Sequence, residues 1–163
     1  MRVVLQKVKN ASVTVDNKII SSIGNGLMLL VGISTTDTIE DVTKLSKKIL
    51  SIRVFEDITK ESNTNTEWVG KPWSKNIKDV NGEILSVSQF TLYGTLKKGN
   101  KPDFHKAAKG DIAIELYNLF LNQLKEGLGE EKVKDGEFGA MMEVNLQNTG
   151  PVTLVWDTQD TTL

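Results

Sequence analysis

Strict alternation opens the chain. Val3, Leu5 and Lys7 interleave with Val4, Gln6 and Val8, which predicts a strand buried on both faces near its start. Ala11, Val13 and Val15 continue the period and predict a second strand. Asp16-Asn17 then supplies a turn before KIISSI, and Gly24-Asn25-Gly26 marks another before a buried strand from Leu27 to Ile33. Here the period changes. Ile39, Val42, Leu45, Ile49 and Leu50 recur at helical spacing between lysines and acids. With Asp37 and Glu40 spaced as a capping box, the pattern predicts a helix from about Thr38 to Leu50. SIRVFE returns to strand character. Residues 57–76 hold no period, contain Gly70 and Pro72, and read as a long loop that Trp68 and Trp73 pack down. GEILSVSQFTLYG predicts a strand bounded by glycines, and a lysine-rich loop follows it.

A second helix is expected from about Asp111 to Gly127, with Ile112, Leu116, Leu119, Phe120 and Leu124 on one face and Gly127 and Gly129 ending it. FGAMMEVNLQN and VTLVW predict two further strands, separated by Asn148-Thr149-Gly150-Pro151. Proline offers the ladder no N–H and glycine packs nothing, so this pair should break a sheet. With no repeat and no linker, the pattern gives one α/β domain spanning residues 1–163. Two main helices pack on one side of a mixed or curled, barrel-like sheet.

Composition narrows the chemistry. The 163 residues carry a net charge of −1, so no global basic field advertises a nucleic-acid partner, and local clusters must be read instead. There is no cysteine and a single histidine, His105, which makes a metal site an unfavourable reading and leaves no disulfide or thiolate. A Ser–His–Asp triad would depend on His105 alone, and its polar surroundings, PDFHKA, favour an exposed structural role. No Walker loop, H-E-x-x-H or dinucleotide fingerprint occurs. The N-terminus lacks the apolar core of a signal peptide, and no run approaches the roughly 20 apolar residues that cross a bilayer. The expectation is a soluble, cytoplasmic protein with no membrane partner and no cofactor.

Two segments remain. SVSQFTLYG crowds Ser86, Ser88, Gln89 and Thr91 into one strand end. Either the hydroxyls of an edge strand satisfy themselves on backbone, or backbone N–H groups and the Gln89 amide form an oxyanion hole for ester hydrolysis. Period two would set Ser88 and Phe90 on one face, Gln89 and Thr91 on the other. The following loop holds Lys97, Lys98, Lys101, Lys106 and Lys109 against Asp103, beside Phe104. Such a run is either a solvated face or a set of phosphate contacts next to a reaction site.

SQFTLYG, KKGNKPDF, FGAMM and NTGPVT, in that order, together with the opening MRVVLQKVKNASV, resemble the D-aminoacyl-tRNA deacylase family over nearly the whole chain. The resemblance implies a homodimer that hydrolyses the ester between a D-amino acid and the 3′-terminal adenosine of tRNA, with no metal and no DNA partner. It implies that Gly150-Pro151 is a cis peptide reaching into the partner subunit's site. It places Ser88, Gln89, Phe90 and Thr91 at the reaction centre, with the N–H groups of Phe90 and Thr91 as oxyanion donors. Phe138 and Met142 become candidates for an adenine pocket, against core packing of a strand. Lys97, Lys98 and Lys101 become contacts to tRNA phosphates. Two departures stand out: Lys7 occupies a position where many members carry arginine, and Asn63 to Lys75 has the length of an insertion. The competing readings are a non-catalytic RNA-binding module of the same fold and a hydrolase of other small esters.

Overall fold

The computed structural model describes residues 1–60, 69–97 and 99–160. Trp68, Lys98 and residues 63–67 of the expected insertion lie outside them. The chain runs β1 (Arg2–Val15), β2 (Lys18–Ile23), β3 (Gly26–Gly32), α1 (Ile39–Ser51), β4 (Phe55–Asp57), β5 (Lys71–Lys75), β6 (Glu83–Ser88), a 3-10 turn (Phe90–Tyr93), α2 (Gly110–Leu128), β7 (Val133–Asp135) and β8 (Glu143–Asp157). Sheet order is β2-β1-β3-β6-β7, with β8 on the other edge of β1. The β1 pairings are antiparallel, and β3-β6 and β6-β7 are parallel.

Alternation along the central strands separates two cores. Leu27, Leu29 and Val31 of β3 face α1 and α2, where Val42, Leu45, Leu116 and Phe120 cover them. Met28 of β3 faces the other way, into the hollow of the curled sheet with Val8, Val13, Leu85 and Val87. A parallel strand covered on both faces reads as a continuous apolar run, which is why GLMLLVG shows no polar residue. The curl nearly closes: Ser21 Oγ of β2 donates to the carbonyl of Asp135 on β7 at 2.6 Å. Gly26 makes room for this curvature, since a Cβ there would lie 1.8 Å from the backbone oxygen of Glu83.

Several expectations change. The two strands drawn before Asp16 are one strand, because the β1–β8 pairing absorbs local irregularity as register shifts around Val8 without ending it. Residues 57–76 are not loop throughout: Lys71–Lys75 pairs with β4 as a separate hairpin. Trp73 does not pack that segment down; it is 54% exposed, with φ of 55°. β6 stops at Ser88, and the chain coils into the 3-10 turn, so the period-two division of Ser88, Gln89, Phe90 and Thr91 does not hold. Phe138 lies in a turn before β8, which starts only at Glu143. The helix start is also set differently. Asp41, not Glu40, accepts from the Thr38 N–H at 2.9 Å, while Asp37 accepts from the Ser34 N–H and the Met1 ammonium.

Candidate functional site

Where β6 ends, the chain must leave the sheet, and it does so under tight control. The Gln89 N–H donates to the Val31 carbonyl at 2.8 Å, and the 3-10 turn seats against Gly32, where a Cβ would stand 3.0 Å from Leu92 Cβ. From behind, Arg2 donates through Nη1 to the Leu92 carbonyl at 2.9 Å and through Nε to Asp157 at 2.8 Å, with its guanidinium 4.5 Å from the Tyr93 ring centre. A planar fork can make both bonds while stacking. The first N–H groups of a helical turn have no partner within it, and in this turn they are those of Phe90 and Thr91.

The start of the turn borders a cleft of about 640 Å³. Ser88, Gln89 and Phe90 form one wall, Phe138 and Met142 another, and Lys109, Gly110 and Ala113 at the start of α2 the rim. The Gln89 Nε2 donates to Thr91 Oγ1 at 2.5 Å, which fixes the two polar side chains against each other. Met142 Sδ accepts from the Glu137 N–H at 3.4 Å, while the side chain also packs against the core around Val8, Leu85 and Val87. Phe138 is 41% exposed and packs on Tyr117, ring centres 5.9 Å apart. Behind that wall, Tyr117 donates to Asp135 at 2.6 Å and lies 3.0 Å from the buried Ser86 hydroxyl. Burial pushes the Asp135 carboxyl above its usual range, against the Tyr117 hydrogen bond, and burial pushes the Tyr117 hydroxyl well above its own.

The lysine loop is anchored to this site. Thr95 and Asp103 exchange backbone hydrogen bonds of 2.8 and 2.9 Å, and Phe104 meets Phe90 edge-on at 5.0 Å. Lys97 and Lys101 are exposed at its tip and Lys109 reaches the cleft rim. His105 is a surface residue whose ring contacts Asp103 at 2.9 Å; the His105 backbone N–H and ring together hold that carboxyl below its usual range.

Gly150–Pro151 is cis and stands elsewhere. Gln6 pairs with Thr153 and Val8 with Asn148, so residues 149–152 of β8 pass over the single β1 residue Lys7. Thr149, Gly150 and Pro151 are exposed on this excursion, and none lines the chain's own cleft. Gly150 has φ of 125°, and a Cβ there would meet Val152 Cγ2 at 2.8 Å. Beneath it Lys7 is 2% exposed and donates to Glu56 at 2.5 Å, beside a second cavity of about 430 Å³ that Thr149 also lines. Arg2, Tyr117 and Asp135 were not singled out from the sequence. Each acts across the fold on a residue more than ten positions away, and no local pattern marks such a partner.

The cleft is walled by the start of a 3-10 turn, a phenyl ring and a thioether and flanked by a basic loop, in a helix-backed, curled-sheet protein. The comparisons place it more narrowly. The model for D-Tyr-tRNA(Tyr) deacylase matches residues 4–157. The D-aminoacyl-tRNA deacylase of Saccharomyces cerevisiae is 60% identical over 96% of this chain and 98% of its own. That of Drosophila melanogaster is 52% identical over 94% and 90%, and that of the bacterium Flavobacterium psychrophilum 48% over 98% and 99%. Among solved structures, one named c-Myc DNA Unwinding Element Binding Protein superposes with a TM-score of 0.86 at 47% identity, covering 96% of this chain and 98% of that one. A probable eukaryotic D-amino acid tRNA deacylase, 22% identical with a TM-score of 0.77, shares the fold. The chain belongs to the D-Tyr-tRNA(Tyr) deacylase family.

Proposed function

We propose that this protein hydrolyses the ester of D-aminoacyl-tRNA, releasing the free D-amino acid and tRNA. Family membership supports the substrate class, and one observation carries the chemistry: Gln89 and Phe90 line the cleft where the 3-10 turn begins, and the leading N–H groups of that turn, those of Phe90 and Thr91, have no partner within it and lie next to the paired Gln89 and Thr91 side chains. Water adds to the ester carbonyl carbon, and the two N–H groups hold the oxyanion that forms. The intermediate collapses by breaking the bond to the ribose oxygen, which leaves with the proton lost by water. Thr91 orients groups here and is not the nucleophile. Its oxygen already accepts from Gln89, and no basic side chain is hydrogen-bonded to it among the described residues. Phe138 and Met142 take the terminal adenine, which stacks on flat or polarizable surfaces. Lys97, Lys98 and Lys101 meet phosphates of the acceptor end.

The protein acts as a homodimer. Gly150–Pro151 is exposed and does not line its own cleft, as a corner that completes the neighbour's cleft must be. Backbone suits this task because chirality must be judged whatever the side chain. A pocket that reads side chains gains only about 1–3 kcal/mol per methylene, whereas a rigid main-chain wall collides with every L side chain. Glycine carries nothing that collides. Glycyl-tRNA should therefore be cleaved along with D-tyrosyl-tRNA, and L-tyrosyl-tRNA should persist. Deacylation of the three by the purified protein tests the reading, and resistance of the glycyl ester or equal cleavage of both tyrosyl hands overturns it. A free D-tyrosine ester, included alongside, should survive; its hydrolysis would favour a general esterase, and inertness toward all four a binding module.

A further inference from the structure

An excursion of four residues over one leaves backbone groups that the β-ladder can no longer serve, and a corner without ladder bonds has no stiffness of its own. In β8 one side chain takes over that task. Asn148 Oδ1 accepts the Val152 N–H at 2.8 Å, which ties the entrance of the excursion to its exit. Its Nδ2 lies 2.9 Å from Thr153 Oγ1, 3.2 Å from Gln6 Oε1 and 3.3 Å from the Val152 carbonyl. Gln6 and Thr153 are register partners across β1 and β8, the last pair before the ladder opens. The carboxamide is thus gripped by both strands at the base, while Thr149, Gly150 and Pro151 stand exposed above it.

We infer that Asn148, held by Gln6 and Thr153, is a specificity-determining positioning residue: it sets how firmly the Gly150–Pro151 corner resists an L side chain. The inference rests on the reading above, in which that corner is the chiral wall. A wall can discriminate no better than the free energy needed to displace it. Here the bonds that resist displacement converge on one amide. Loosening them should let L substrates push the corner aside, and should affect glycyl-tRNA least, since it presses on nothing.

The test compares deacylation of D-tyrosyl-, glycyl- and L-tyrosyl-tRNA by the wild-type protein and by Asn148→Ala, Asn148→Asp and Thr153→Val. The preference for D over L should fall about tenfold in Asn148→Ala and about threefold in Thr153→Val, which loses a single acceptor. Asn148→Asp keeps an acceptor for Val152 and should fall between wild type and alanine. A purely structural role would slow all three substrates in proportion and leave the ratio intact. A ratio within about twofold of wild type in both Asn148→Ala and Thr153→Val overturns the inference, while wild-type selectivity leaves the chiral-wall reading standing. Should Asn148→Ala be inactive on every substrate, the ratio in Thr153→Val decides alone. Absence of any D-over-L preference in the wild type would instead remove the wall itself.

Discussion

In the proposed mechanism Thr91 is a side chain present at the reaction centre without being the reactant. Its hydroxyl accepts from Gln89, a cleft residue, at 2.5 Å, and its own N–H is one of the leading amides of the 3-10 turn. A hydroxyl without a base is a weak nucleophile, and the ester is already activated, so water is the better candidate. Thr91→Ala should lower kcat by about ten- to hundredfold with little change in KM, because the backbone donors stay in place. Single-turnover kinetics on D-tyrosyl-tRNA check this. Abolition of turnover, together with an acyl-threonine trapped in the wild type, would establish a covalent route. The hydroxyl-rich strand end was readable from SVSQFTLYG, but its geometry was not. Period two assigned Gln89 and Thr91 to a common face of a strand, whereas the 3-10 turn brings them together by coiling.

Among the elements, β7 and α2 form a support for the cleft wall that no motif announced. Tyr117 from α2, Asp135 from β7 and Ser86 from β6 meet beneath Phe138, and burial raises the Asp135 carboxyl. The sign of its pH effect follows. A carboxyl whose folded pKa lies above its unfolded value favours the fold fully below the unfolded value, and that contribution is lost as pH rises through the folded value. As pH rises through the folded value, the wild type takes on a poorly solvated charge. Asp135→Asn removes the ionisation and keeps an acceptor for the Tyr117 hydroxyl. Its thermal midpoint at pH 7.5 should be at or above that of wild type, and the difference should shrink as pH falls toward the ordinary carboxylate range. Thermal melts across pH 4 to 8 check this; a midpoint deficit that is the same at every pH would contradict it. Asp41 acts in the opposite direction. Burial alone would raise it, but hydrogen bonds from Thr158 and Thr38 hold it below its usual range, so its contribution is lost in acid.

For the whole molecule the basic loop matters despite the net charge of −1, because phosphate contacts depend on the local field. Lys97 and Lys101 project from a loop tied to the cleft by the Phe90–Phe104 contact, so charge placed there registers with the reaction centre. Lys97→Glu with Lys101→Glu should raise KM for D-tyrosyl- and glycyl-tRNA alike, by about tenfold or more, with kcat little changed, and should flatten the dependence of affinity on salt. Filter binding across a salt series checks this. A change confined to one amino acid would contradict a phosphate role. Duplex DNA of equal charge is the useful competitor. DNA that displaces tRNA at equal concentration would show the loop to be a general polyanion site.

Much of this molecule was set by the chain's own pattern. The helix periods, the turns at Asp16-Asn17 and Gly24-Asn25, the doubly apolar β3 and the ordered run SQFT, KKGNK, FGAMM and NTGPVT are local, and local spacing fixes them through period, turn geometry and residue type. What spacing could not decide was everything settled between distant segments. VNLQN and VTLVW looked like two strands because a Gly-Pro pair normally ends one. They are one strand because β1 supplies a continuous partner on either side and the Asn148 amide bridges the gap. Tyr117 with Asp135, and Arg2 with Leu92, likewise became partners only when the sheet curled and brought their elements together. A period describes which face a residue takes; only the closed fold determines what stands opposite that face.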